Sequence, residues 1–307
     1  SKITILLAIV LGMTFHSCLD LEPQDQLGGK NMWTSVNDYK QFANTFYSWT
    51  RDFSSVVYDG THSDKRSDLI TYQSYNEFSR GINSIPSSDA NYTDNYKHIR
   101  RTNLLLQNAE AYAKPEDIKQ YIGEAYFFRA YSYFDLLQLY GDVIITKKPL
   151  DITDPEMKVK RNDRSEVVDL IIDDLNHAVE NLPAFKELTT EEEGRISKEG
   201  AQAFLSRVAL YEGTWQKSRN GNQNTQRSAN LLDIAAKAAR TVIDAKYGYT
   251  FRLFGTDSET KILGDSAQKY MFILENEKSN PAGIKKSSNH EYIFARRHDQ
   301  VLASIGK

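Results

Sequence analysis

Between Pro115 and Gly141 the chain carries a run of apolar and aromatic residues that leaves almost no polar face. Pro115, Glu116 and Asp117 make a favourable first helical turn. Proline there gives up an N–H that needs no partner, and the acids sit at the positive end of the dipole. A helix then runs from about Ile118 to Tyr140 and stops at Gly141. Tyr121, Ile122, Ala125, Phe128 and Leu136 fall on one side, and Tyr126, Phe127, Tyr133, Phe134 and Leu137 around the rest. A helix apolar nearly all round has to be covered on several sides. This segment is therefore the central pillar of the core, and other helices must supply its partners. Glu124, Arg129 and Asp135 lie on it, and isolated buried charge is costly, so they are expected in an internal ion-pair network.

The partners are legible from spacing. One helix spans about Val36 to Trp49. A second starts near Tyr92 and repeats Tyr96, Ile99, Asn103, Leu106 and Ala109 or Glu110 at intervals of three and four. Asp163 with Glu166 makes a capping box, followed by the stripe Val167, Ile171, Leu175, Ala178 and Leu182, which Pro183 ends. Another helix begins at Ser197, with Ala201, Phe204 or Leu205, Val208 and Tyr211 inward and Gly213 as its stop. Asn230 caps a fifth, carrying Leu231, Ile234 or Ala235, Ala238, Val242 and Ala245, and Gln216 to Arg227 reads as the longest loop after the pillar. Strand signals are confined to Val143–Thr146, Tyr249–Leu253 and Tyr292–Phe294. The expected class is mostly α: tetratricopeptide-like helix pairs with long irregular loops and a few short strands. The fixed Trp, Gly and Pro positions of that repeat are absent, so the repeats are degenerate.

Cys18 is the only cysteine, and it follows the apolar run Ile3 to Phe15, with Lys2 before the run and Ser17 after it. That is the layout of an export signal. The run is too short to cross a hydrocarbon layer that takes roughly 20 apolar residues as helix. Cleavage before Cys18 and lipidation of the cysteine are expected. The chain then divides into a signal peptide (1–17), a lipidated tether (18–32) and a helical domain (33–307). More than one acyl chain anchors stably without spanning the membrane. A formal net charge of −3 argues against nucleic acid, whose binding rests on clustered Lys and Arg.

The 18 tyrosines stand out, since tyrosine offers an apolar face with a polar edge, suited to stacking on sugar rings or to filling gaps between helices. The irregular stretch Arg51 to Ala90 reads as a binding loop. Within and beside it, Tyr58, Tyr72, Tyr75, Phe78 and Tyr92 are candidate platforms, and Arg66 and Arg80 candidate donors to hydroxyls. Packing beneath a loop is the other reading of each aromatic. No histidines show metal spacing and no phosphate loop is present. Asp173 and Asp174 are adjacent and do not face each other, so they read as a solvated face. No cofactor, metal or catalytic residue is expected.

Tyr121 to Thr146, YIGEAYFFRAYSYFDLLQLYGDVIIT, resembles the signature helix of the SusD/RagB family, with its Gly-Glu-Ala start, Arg-Ala-Tyr centre and Tyr-Gly-Asp-Val end. In the family's order, Cys18-Leu-Asp-Leu-Glu-Pro resembles the lipidated start and Tyr96-Lys-His-Ile-Arg-Arg-Thr-Asn103 the Tyr, Ile and Asn helix. Arg164 to Pro183, Ile196 to Gly213 and Glu291-Tyr-Ile-Phe294 resemble further pieces. The resemblance implies a cell-surface, mostly helical outer-membrane lipoprotein. Such a protein captures glycan or another nutrient for, and caps, a SusC-like TonB-dependent transporter; it is not an enzyme. A tetratricopeptide-type interaction scaffold is the alternative, and a surface hydrolase a third reading. Family members are longer, so the chain reads as an N-terminal portion, and weak or no ligand binding by residues 19–307 is expected.

Overall fold

The computed structural model describes residues 32–50, 81–82, 84–151, 153–219, 225–273, 283–284 and 288–295. Seven α-helices lie among them: α1 (Val36–Asn44), α2 (Ala90–Glu110), α3 (Lys119–Tyr140), α4 (Arg164–Asn181), α5 (Lys198–Arg219), α6 (Thr225–Ile243) and α7 (Ala267–Ile273). From α2 to α6 each helix packs along the next, giving the expected stack of helix pairs, and α1 closes against α2 and α3. Among the described residues no helix is long and apolar enough to cross a membrane.

The pillar is α3. Phe128, Ala125, Tyr133, Leu136 and Leu137 are fully buried on it, and Phe127 and Phe134 nearly so. Phe128 meets Phe46, Tyr47 and Trp49 of the turn after α1, at ring-centroid distances of 5.8, 4.9 and 5.9 Å. On another side Phe127 and Phe134 each lie 5.5 Å from Phe204 of α5. Gly123 brings the end of α4 close, since a Cβ there would sit 2.9 Å from Leu182 Cγ. Gly141, at φ 72°, ends the helix where expected.

Arg129 and Glu124 on the pillar are paired with other segments of the fold. Arg129 donates to both carboxylate oxygens of Asp174 on α4, at 2.8 and 2.6 Å, and to Asn103 Oδ1 of α2 at 2.8 Å. Glu124 accepts two bonds from Arg195, both at 2.7 Å. A third pair, Arg164 with Glu212 at 2.8 Å, ties α4 to α5. Asp174 is therefore no part of a solvated face: it is buried against a guanidinium, while Asp173 stays outside near His177.

The stripe of α4 is buried as spaced, and Glu166 accepts from the Asp163 N–H at its start. Three expectations give way. Gly213 does not stop α5, which continues to Arg219. Its missing side chain instead lets α6 pass, because a Cβ there would lie 3.0 Å from Leu232. Asn230 does not cap α6, which starts at Thr225, so the loop between these helices is shorter than Gln216 to Arg227. No strand ladder forms among the described residues. Val143 makes one isolated bridge to Asn162, and beside the Tyr249–Leu253 segment the Arg252 N–H donates to the carbonyl of His290, two residues before the Tyr292–Phe294 segment.

Candidate functional site

Of the residues that the sequence singles out for ligand contact, Tyr92 alone is described; Tyr58, Arg66, Tyr72, Tyr75, Phe78 and Arg80, like Cys18, lie outside the described residues. Tyr92 stands in the first turn of α2, which Asp89 caps by accepting from the Asn91 N–H at 2.9 Å. Tyr140, at the far end of α3, donates to the other oxygen of Asp89 at 2.6 Å, so the entry of α2 is held against the pillar. The Tyr92 ring lies 5.2 Å from Tyr140 and 4.8 Å from Tyr96, one turn on.

The Tyr92 and Tyr96 rings line one wall of a cleft of about 470 Å³. Thr93, Lys97 and Arg100 complete that wall along α2; Ile144, Thr146, Lys148 and Leu150 form the opposite wall, and Glu156 and Met157 the rim. The opposite wall has no regular structure, yet half-buried Tyr96 and buried Tyr133 and Asn103 pin it. Tyr96 Oη donates to the Ile144 carbonyl at 2.8 Å and accepts from the Ile144 N–H at 2.9 Å. Tyr133 Oη accepts from the Thr146 N–H at 2.7 Å. Asn103 Nδ2 donates to the carbonyls of Thr146 and Lys148, at 3.0 and 3.2 Å, and Asn103 is itself held by Arg129. The Asp174–Arg129–Asn103 chain therefore ends on the cleft wall. Burial raises the Tyr96 and Tyr133 phenols above their ordinary pKa, which keeps both hydroxyls neutral and able to donate.

The cleft offers tyrosine rings and aliphatic side chains with a charged rim. Lys148 pairs with Glu156 at 2.7 Å, and this hydrogen bond holds the Glu156 carboxyl below its ordinary pKa. Lys97 pairs with Asp94, and Met157 projects half exposed at the mouth. Among the described lining residues Glu156 is the single carboxylate, and it is tied to a lysine. Glycoside hydrolysis uses two carboxylates across the scissile bond, and the described residues of this cleft include no such pair. Among the described residues no group of three or more His, Cys, Asp and Glu side chains is set to hold a metal ion.

Tyr96, Arg100, Lys148 and Met157 were not singled out for ligand contact from sequence. The signal for Tyr96 was present, since positions four apart share a helix face with Tyr92. Nothing local marks Lys148 or Met157, which reach the cleft from more than 40 residues away. A second groove of about 670 Å³ runs between α4 and α6, lined by Asp169, Asp173, Asn176, Gln226 and Asn230, with Arg227 bonded across it to Asp169 at 2.8 Å. It is two helices wide, short of the long concave face of an interaction scaffold.

A family model described as starch-binding and associating with the outer membrane matches residues 19–210. SusD-like protein P38 of Formosa agariphila is 27% identical over 230 residues, covering 68% of this chain and 42% of that protein. A solved SusD-like protein of Bacteroides fragilis shares 22% identity at a TM-score of 0.58, covering 92% of this chain and 49% of its own. A solved laminarin-binding SusD-like protein shares 23% identity at a TM-score of 0.54, covering 75% and 49%. The chain spans about half the length of the relatives it matches. At these identities the solved structures establish a shared fold. The family model covers well over half of the chain, including the pillar and its neighbours, and the chain therefore belongs to the SusD-like family.

Proposed function

We propose that this protein binds glycan at the outer-membrane surface, anchored by lipid on Cys18, and delivers oligosaccharide to a SusC-like TonB-dependent transporter that it caps. The observation that carries this reading is the family match, which begins at residue 19, directly after the cysteine. The laminarin-binding relative supports an oligosaccharide as ligand. The Tyr92–Tyr96 cleft supports binding without catalysis: its rings can take the C–H face of a sugar, and its described lining holds no paired carboxylates. Tyr58, Arg66, Tyr72, Tyr75 and Arg80 belong to the proposal as further ligand contacts, read from sequence.

Affinity electrophoresis of the full chain through gels containing starch, laminarin or xyloglucan tests the reading. At least one polysaccharide should retard the protein measurably, and Tyr92→Ala should reduce that retardation while the melting temperature holds. Free migration through every gel would favour the scaffold reading instead. For the anchor, Cys18→Ser should abolish labelling by a fatty-acid probe in cells, and unchanged labelling would remove Cys18 from the account.

A further inference from the structure

A separate cleft of about 450 Å³ opens between residues 185–195 and 289–295 and shares no lining residue with the Tyr92 cleft. We propose that it is a second saccharide subsite, an inference that rests on the glycan-binding reading and extends it to a cleft of which one side, residues 289–295 with Tyr249, lies beyond the family-model match at residues 19–210.

Its chemistry differs from that of a gap left by packing. Phe185, Tyr249 and Tyr292 line it together with Asn289, His290 and Lys186, so aromatic faces meet hydrogen-bonding groups in one concavity. Tyr292 is 47% exposed, a large ring left open where core aromatics are covered. Asn289 Oδ1 accepts from the Glu291 N–H at 3.0 Å, which fixes the side chain. A pyranose presents C–H faces and a rim of hydroxyls, and this combination of rings, amide, imidazole and ammonium answers both. The volume falls within the range of about 300–1,000 Å³ usual for small-ligand sites.

The walls are held before any ligand arrives. The Phe185 ring packs tilted against Tyr249 at 4.5 Å, and Tyr249 lies 4.8 Å from Phe251. The Phe185 N–H donates to buried Glu199 at 2.8 Å. On the other side, the Arg252 N–H donates to the His290 carbonyl at 3.1 Å, and the Phe254 N–H to Glu291 at 2.9 Å. Arg195 backs the cleft and is locked on Glu124 of the pillar. Such preorganisation lowers the ordering cost of binding.

The test is affinity electrophoresis of the full chain in starch and laminarin gels, with a thermal melt of each variant. Tyr92→Ala alone should leave residual retention. Adding Tyr292→Ala and Asn289→Ala should remove it, a loss of roughly five- to tenfold in apparent affinity for one aromatic platform with its donor. Both added changes are at the cleft surface, so the melting temperature should stay within a degree or two. Retention that falls with Tyr92→Ala and is indifferent to Tyr292→Ala and Asn289→Ala overturns the subsite and leaves the glycan reading intact. A parent chain that no polysaccharide retards overturns both.

Discussion

Arg129→Met should destabilise the protein by about 3–5 kcal/mol, the usual cost of breaking a buried ion pair by removing one partner. Arg129 and Asp174 have side chains only 6% and 1% exposed, and the pair is bidentate. Without the guanidinium, Asp174 is left charged in the core and Asn103 loses the bond that holds it. The double variant Arg129→Met/Asp174→Leu should recover much of the loss, because replacing a whole buried pair by apolar residues is often neutral. Urea denaturation of the parent, both singles and the double closes the cycle. A single variant that unfolds at the parent's midpoint would show that the pair contributes nothing. The double variant carries a second consequence. Asn103 still loses its anchor, and Asn103 holds the Thr146 and Lys148 carbonyls, so the Tyr92 cleft should bind more weakly even where stability returns.

Phe128→Ala should cost about 3–5 kcal/mol and Leu136→Ala about 2–5 kcal/mol, the ranges for truncating well-packed core residues. Both side chains are fully buried. They lie a little over two turns apart on α3 but do different work: Phe128 is surrounded by Phe46, Tyr47, Trp49 and Phe127, so its loss opens a cavity lined by stiff rings. Rings collapse poorly into a void, which puts Phe128→Ala at the upper end of its range. Melts of the two variants within a degree or two of the parent would contradict the role of α3 as the pillar.

Much of the fold was legible because it is set by neighbours in the chain. The all-round apolar pattern of α3, the Asp163–Glu166 box, the α4 stripe and the stop at Gly141 depend on spacings of three or four residues, and each appears as read. The pairing of Glu124 and Arg129 followed from the cost of burying charge, although spacing could not name Arg195 and Asp174 as partners. Gly213 was misread because a glycine that ends a helix and one that lets a second helix approach look alike from within one segment. Asp174 was misread for a similar reason: adjacency to Asp173 excludes a facing pair but says nothing about a guanidinium 45 residues away.

The candidate site follows the same division. Tyr92 drew attention as an aromatic at the start of a helix beside an irregular stretch, and the i, i+4 relation to Tyr96 was available. The opposite wall was not, since residues 144–157 become a wall only when Tyr96, Tyr133 and Asn103 hold their backbone against α2. From sequence alone came the family resemblance, the helical class and the anchoring expectation at Cys18, all written in short contiguous patterns. Tertiary structure alone decided which charges meet, which glycine admits a neighbour and where aromatic rings open into clefts. Those outcomes depend on distances between segments far apart in the chain, and local periodicity carries no information about them.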